Sequence, residues 1–311
     1  MSPVFCPANP VVPVHDGLAP LAERYEDYIV DLWGVMHDGV AAFPEALACL
    51  AELKARGKRV WILSNAPRRA AAVAARNAEL GIPPAHVDGV LSSGEAAWRH
   101  LKDRPDAWYR ALGRRCYHLG PDRDHGMREG LDYDFLDDPA ALARADFLLN
   151  TGVLLPSDTA ATYRPLLDAA LACGLPMVCA NPDLEVIRGG KREICAGAVA
   201  LAYEQMGGEV HYHGKPHPEI YADCAAMMGS MEPGRTLAIG DSLRTDIAGA
   251  QGAGIDGLFV AGGIHAESLG LRHGLDPNGP HLEGTLDQTR LAALFAERRL
   301  YPVAALPALR W

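Results

Sequence analysis

The chain has 311 residues, 49% of them apolar and 22% charged, with 29 basic and 39 acidic side chains and a formal net charge of −10. Such a length can bury roughly 75% of the unfolded surface in one large domain or two ordinary ones. The composition excludes disorder, collagen and coiled coil, and the negative balance argues against nucleic acid or an anionic membrane as partner.

No run approaches about 18 consecutive apolar residues, and the N-terminus has neither a basic n-region nor a continuous apolar h-region, so a cytoplasmic location is expected. The seven cysteines are scattered, with no C-x-x-C pair, which fits reduced thiols rather than a disulfide frame or zinc ribbon. Residues 1–19 and 301–311, proline-rich and without periodicity, read as peripheral arms. Tyr28-Ile29-Val30 is a buried-strand candidate leading into Asp31. From Phe43 to Arg56, Pro44 at a first helical position, Leu47, Leu50 and Leu53 at helical spacing, and Gly57 as a stop predict an amphipathic crossover helix. Val60–Leu63 predicts a second strand, ending at Ser64-Asn65, and an alanine-rich helix follows from Pro67 to Leu80.

The same grammar returns late in the chain. Glu209–His213 reads as a strand before Gly214-Lys215-Pro216, a helix follows from about Pro218 to Met228, and Thr236–Gly240 reads as a strand before Asp241. A helix from about Thr245 to Ala253 and a strand at Gly257–Ala261 complete the series. Between the two blocks, Arg115–Leu119, Ala145–Leu149 and Pro176–Ala180 form a separate set of strand-like runs, bordered by Gly81–Pro84 and by Asn181–Gly190. The expected architecture is an α/β fold: a doubly wound parallel-sheet, Rossmann-like core over residues 20–82 and 186–300, with an inserted α/β cap domain at 83–185.

Asp31, Ser64-Asn65, Lys215 and the pair Asp241/Asp246 all follow strand-like runs, and ligands of open α/β sheets bind outside the carboxyl ends of the strands. Taken singly, each has an ordinary structural explanation as a turn, cap or solvated loop residue. Together they put a carboxylate, a hydroxyl, a lysine and an acidic cluster on one sheet edge.

Asp31-Leu32-Trp33-Gly34-Val35, Ser64-Asn65, Gly214-Lys215-Pro216 and Gly240–Asp246 resemble the four ordered motifs of the haloacid dehalogenase-like (HAD) hydrolases. Ala180-Asn181-Pro182-Asp183 and Lys215–Tyr221 resemble the class IIA branch, whose large α/β cap lies between the second and third motifs. The resemblance implies a Mg²⁺-dependent phosphatase of a small phosphorylated metabolite, and a possible homodimer through the cap. It implies Asp31 as nucleophile, Lys215 and Ser64 neutralising and orienting the phosphoryl group with Asn65, and Mg²⁺ held by Asp31, Asp241, Asp246 and the backbone carbonyl of Trp33. The chemistry agrees, because a carboxylate nucleophile splits ester hydrolysis into two easier steps and Mg²⁺ relieves the repulsion between two approaching anions.

Most phosphatases of the superfamily carry a second Asp two residues after the nucleophile, to protonate the leaving alcohol. Here that residue is Trp33, whose indole cannot shuttle a proton. Three accounts are open: His37 or Asp38 takes the role; the leaving group needs no proton; or the protein binds phosphate esters with little turnover, a phosphometabolite-binding protein. Asn181 and Asp183 stand where the cap chain returns to the core and border the expected substrate entrance, and Arg188 and Lys191 add positive charge there. His211, His213 and His217 suggest a transition-metal site, but packing explains them better, since no Cys or carboxylate lies at a recognisable ligand spacing.

Overall fold

The computed structural model describes residues 10–276 and 279–311. Most of the expected N-terminal arm, residues 1–9, therefore lies outside the described residues. Six parallel strands form the core sheet in the order Ala304–Leu306, Asp256–Val260, Thr236–Gly240, Asp27–Val30, Arg59–Ser64 and Gly89–Ser92. Every residue of the two central strands, Asp27–Val30 and Thr236–Gly240, is buried, as expected of strands covered by helices on both faces. The helix Pro44–Ala55 buries Ala46, Cys49, Leu50 and Leu53, an i, i+3, i+4, i+7 stripe laid against Val30, Val60 and Ile62. Proline in its first turn and Gly57 just beyond its end fix its limits.

A second parallel sheet, ordered Val210–Tyr212, Met177–Cys179, Phe147–Asn150, Arg115–Leu119 and Asp134–Leu136, builds the cap. Its two faces have separate cores, one around Leu148, Met177 and Tyr203 and the other around Phe147, Val178 and Trp98.

Sheet membership moves the domain borders expected from the sequence. Gly89–Ser92, assigned above to the cap, pairs with Arg59–Ser64 in the core, where the Trp61 indole covers Gly89 so closely that a Cβ there would lie 2.2 Å from it. The return to the core is later than residue 186. The helix Ala196–Gln205 packs into the cap core through Val199, Ala200 and Tyr203, and Val210–Tyr212 pairs with Met177–Cys179. The C-terminal segment is not peripheral: Ala304–Leu306 is the edge strand of the core sheet, with Val14 bridged to Ala305. Strands of three residues show too little alternation to be assigned from sequence.

Glu185–Arg188 and Lys191–Ile194 form an antiparallel hairpin whose two turn residues, Gly189 and Gly190, have φ of 51° and 76°. Both central residues at positive φ is the geometry that favours glycine in two-residue hairpin loops. The Gly189 N–H donates to the Asp38 carbonyl at 3.2 Å, which lays the hairpin across the carboxyl edge of the core sheet.

Within the cap, His118 is buried, with Nδ1 accepting from Arg128 Nε at 2.8 Å and Nε2 bonded to Thr151 Oγ1 at 3.0 Å. Burial and the Arg128 charge push its imidazole down to about 3. The unfolded chain takes up a proton near pH 6.5 that the folded chain refuses, so this contribution to stability is full above that pH and is lost as the pH falls toward 3. Urea unfolding at pH 7 and pH 4.5 checks this: His118→Gln is expected to lose about 2 kcal/mol less than the wild type across that interval. Equal losses would contradict it.

Candidate active site

Asp31 is the first residue beyond its strand, and its N–H donates to the Ile239 carbonyl at 2.9 Å, which continues the ladder and fixes the backbone. The chain then turns sharply. Met36 N–H donates to the Leu32 carbonyl at 2.8 Å, and Gly34 sits at φ 71°. A Cβ on Gly34 would lie 2.1 Å from Asp241 Oδ2, so glycine is required both by the backbone conformation and by the closeness of that carboxylate.

Asp241 follows the strand Thr236–Gly240, and a wide turn of π-helix, Leu243–Ile247, comes next rather than the α-helix start expected at Thr245. Ile247 N–H reaches back five residues to the Ser242 carbonyl at 3.2 Å. Turns of this kind often mark functional sites, and this one returns Asp246 toward the strand end beside Asp241. Lys215 Nζ lies 2.7 Å from Asp31 Oδ1 and 2.7 Å from Asp246 Oδ1. Asp246 Oδ2 accepts from the Ser242 N–H at 3.1 Å, and Asp241 Oδ2 from the Ile264 N–H at 2.6 Å.

Asn65 is a clamp. Its Oδ1 accepts from the Lys215 N–H at 2.8 Å, and its Nδ2 donates to the Lys215 carbonyl at 3.0 Å and to Asp183 Oδ1 at 2.8 Å. Ser64 Oγ is buried and accepts from the Ala66 N–H at 3.2 Å. Asn181 Oδ1 accepts from the Asp183 N–H at 2.9 Å, closing the turn that carries Asp183. Asp31, Ser64, Asn65, Lys215, Asp183, Asp241 and Asp246 therefore converge.

Burial raises the Asp31 carboxyl and the Asp246 charge raises it further, against the pull of Lys215. Asp241 is held well above the ordinary carboxylate range by burial and then by the charges of Asp31 and Asp246. Burial alone would lower Lys215, but Asp246 and Asp31 outweigh it and hold the ammonium protonated. One cation thus faces three buried carboxylates, a deficit of positive charge.

Among the described residues, Asp31, Asp241 and Asp246 offer oxygens that all lie within 4.8 Å of one another. A buried, all-carboxylate donor set short of positive charge fits a hard divalent cation such as Mg²⁺. Among the described residues, Asp31 and Asp241 each keep one oxygen uncommitted by hydrogen bonds, whereas both oxygens of Asp246 are engaged.

His37 and Asp38, the expected substitutes for the second acid, are both engaged by their own loop. Burial pushes His37 down to about 4, its Nδ1 accepts from the Gly39 N–H at 3.1 Å, and its ring meets the Trp33 indole edge-on with centroids 5.0 Å apart. It is a neutral prop beneath Trp33. Asp38 lines the cleft, but its Oδ1 accepts from the N–H groups of Val40 and Ala41 at 2.9 and 2.8 Å, holding the loop. The histidines of 211–217 are packing groups: His211 stacks on Trp108, His213 is bonded to the Tyr109 hydroxyl, and His217 stacks on Tyr212.

The cleft that holds Asp31 and Asp241 has a volume of about 260 Å³ and runs beneath the Glu185–Ile194 hairpin. A smaller pocket of about 100 Å³ adjoins it between Asn65–Arg68 of the core and Arg123, Gly152 and Val153 of the cap. Trp33 walls both, with the Arg188 guanidinium 4.7 Å from the centre of its ring. An ion pair from the half-buried Arg68 Nε to the buried Asp124 Oδ1, at 2.8 Å, ties cap to core beside this pocket. Sequence reasoning missed the Arg188–Trp33 stack, the Asp183–Asn65 bond and the Ile264 N–H, all contacts between segments distant in the chain. Lys191 is exposed on the hairpin.

Comparison with known proteins agrees with this geometry. The family model described as haloacid dehalogenase-like hydrolase matches residues 28–134, and a HAD-hydrolase-like model matches residues 212–281. A haloacid dehalogenase-like hydrolase from Brucella suis is 32% identical and superposes with a TM-score of 0.77 over 95% of this chain and 99% of its own. Chronophin from Bos taurus is 29% identical over 78% of this chain and 82% of its own length. The 5′-nucleotidase YutF of Bacillus subtilis is 26% identical over 78% and 89%. The chain belongs to the haloacid dehalogenase-like hydrolases, in their class IIA branch. Among the described residues, no helix is long and apolar enough to cross a membrane.

The charge deficit makes a metal-binding prediction that needs no substrate. Mg²⁺ is expected to raise the melting temperature by several degrees over an EDTA-treated sample, less so at pH 5 because protons compete for the same carboxylates. Asp241→Asn is expected to melt at a temperature independent of Mg²⁺. A metal-dependent shift that survives in the variant would move the site elsewhere.

Proposed function

We propose that the protein is a Mg²⁺-dependent phosphoric monoester hydrolase acting on a small phosphorylated metabolite, with Asp31 as nucleophile. The observation that carries this reading is the Lys215 ammonium fixed 2.7 Å from Asp31 Oδ1, with Asp31 lining a cleft that also holds Asp241. Membership of a hydrolase family whose relatives include a named 5′-nucleotidase supports it.

Asp31 and Asp241, with the Trp33 backbone carbonyl, would hold the metal, and Asp246 would hold Lys215. Bound there, Mg²⁺ supplies the positive charge that lets the phosphoryl oxygens approach the carboxylates. Lys215 adds its own charge to those oxygens, and Ser64 Oγ and the N–H groups after it orient them. Asp31 then attacks phosphorus, and water hydrolyses the aspartyl-phosphate in a second step. The hairpin over the cleft excludes water and strengthens each of these charge interactions.

Phosphate release from a panel of phosphate esters, with Mg²⁺ and with EDTA, checks the reading. Release is expected to need Mg²⁺ and to fall to background in Asp31→Asn. Undiminished release in that variant would sink the assignment. Tight Mg²⁺-dependent ester binding without turnover would favour a binding protein instead, the reading that Trp33 in the acid position suggests.

A further inference from the structure

Resting on that reading and deepening it, we propose that Asp183 is the acid and base of this site, giving its proton to the leaving alcohol and later taking one from the hydrolytic water.

Position carries the inference. Asp183 lines both the cleft that holds Asp31 and the adjoining pocket between cap and core. The bond to be broken must lie at that boundary if the phosphoryl group sits on Asp31 and the alcohol in the pocket. The carboxyl is held at Oδ1 by Asn65 Nδ2 at 2.8 Å, and the main chain that carries it is fixed where the Asp183 N–H donates to Asn181 Oδ1 at 2.9 Å. Arg244 anchors the preceding residue by donating to the Pro182 carbonyl at 2.9 Å. Since Asn65 also clamps the Lys215 main chain, acid and lysine are set by one side chain. Asp183 Oδ2 takes no hydrogen bond from the described residues, which leaves one oxygen for the substrate.

The other carboxylates of the pocket are committed to arginines: Asp124 to Arg68 at 2.8 Å and Glu193 to Arg188 at 3.2 Å. Asp183 forms no such ion pair among the described residues. Burial raises its carboxyl above the ordinary range, while the Asn65 hydrogen bond and the Lys215 charge pull it back. In the acid role the carboxyl must bring a proton to the departing alkoxide, and burial works in that direction.

The step balances. A bond forms between the Asp31 oxygen and phosphorus as the bond to the alcohol oxygen breaks, and that oxygen takes the Asp183 proton. Asp183, now a carboxylate, takes a proton from water as the water oxygen bonds to phosphorus and the bond to Asp31 breaks. Inorganic phosphate leaves, and both carboxyl groups return to their starting states.

The test compares kcat/KM of wild type and Asp183→Asn on glycerol phosphate, whose alkoxide must be protonated, and on 2,4-dinitrophenyl phosphate, whose phenolate need not be. The expected loss is about 10²- to 10⁴-fold on the alkyl ester and less than about tenfold on the dinitrophenyl ester, whose retained turnover also reports a folded site. A loss of similar size on both, or on neither, would overturn the assignment. So would a wild type that hydrolyses only the dinitrophenyl ester. If the wild type hydrolysed neither, or Asp31→Asn kept its rate, the hydrolase reading itself would fall.

Discussion

The Lys215 ammonium between Asp31 and Asp246 is the contact on which the rest of the site depends. All three groups are buried, and a buried charge is tolerable only when paired and hydrogen-bonded. The surrounding structure supplies that pairing from four strand ends. Asn65 fixes the lysine main chain, the π-turn returns Asp246, and Gly34 lets the Asp31 loop pass against Asp241. One lysine cannot neutralise three carboxylates. In the proposed function a divalent cation makes up that deficit, so that a dianionic phosphate can approach the carboxylates.

Trp33 changes the division of labour between core and cap. In place of a second acid on the nucleophile loop, the core offers an aromatic wall, propped by His37 and covered by Arg188 from the cap hairpin. Such a cation–π contact, with the Gly189–Asp38 hydrogen bond, ties the hairpin to the loop of the nucleophile. The acid then comes from the junction segment at Asp183. That segment is bonded to the second motif through Asn65 and to the fourth through Arg244.

Much of this was legible in the sequence, for reasons that can be stated. The strands before Asp31 and Asp241 are buried on both faces, so they read as unbroken apolar runs, and a parallel sheet brings their carboxyl ends together with that of Arg59–Ser64 whatever their separation in the chain. The cap borders were misplaced because sheet membership is a long-range property. Val210–Tyr212 has the composition of a core strand, and nothing local says that Met177–Cys179 is its neighbour. His37 looked like a substitute acid because it lies near Trp33 in sequence, but the tight turn after Leu32 points it inward to a desolvated, neutral place. The sequence sets Asp183 at the border of the substrate entrance, but only the bond to Asn65, 118 positions away, fixes its carboxyl at the site.

The central claim is that Asp31 accepts the phosphoryl group. Acid-quenched turnover of p-nitrophenyl phosphate, followed by mass spectrometry of the digested protein, tests it most directly. The account predicts a phosphoryl adduct on the peptide carrying Asp31, discharged by hydroxylamine as an acyl phosphate must be. An adduct on any other residue, or turnover that persists once the Asp31 carboxylate is removed, would contradict it.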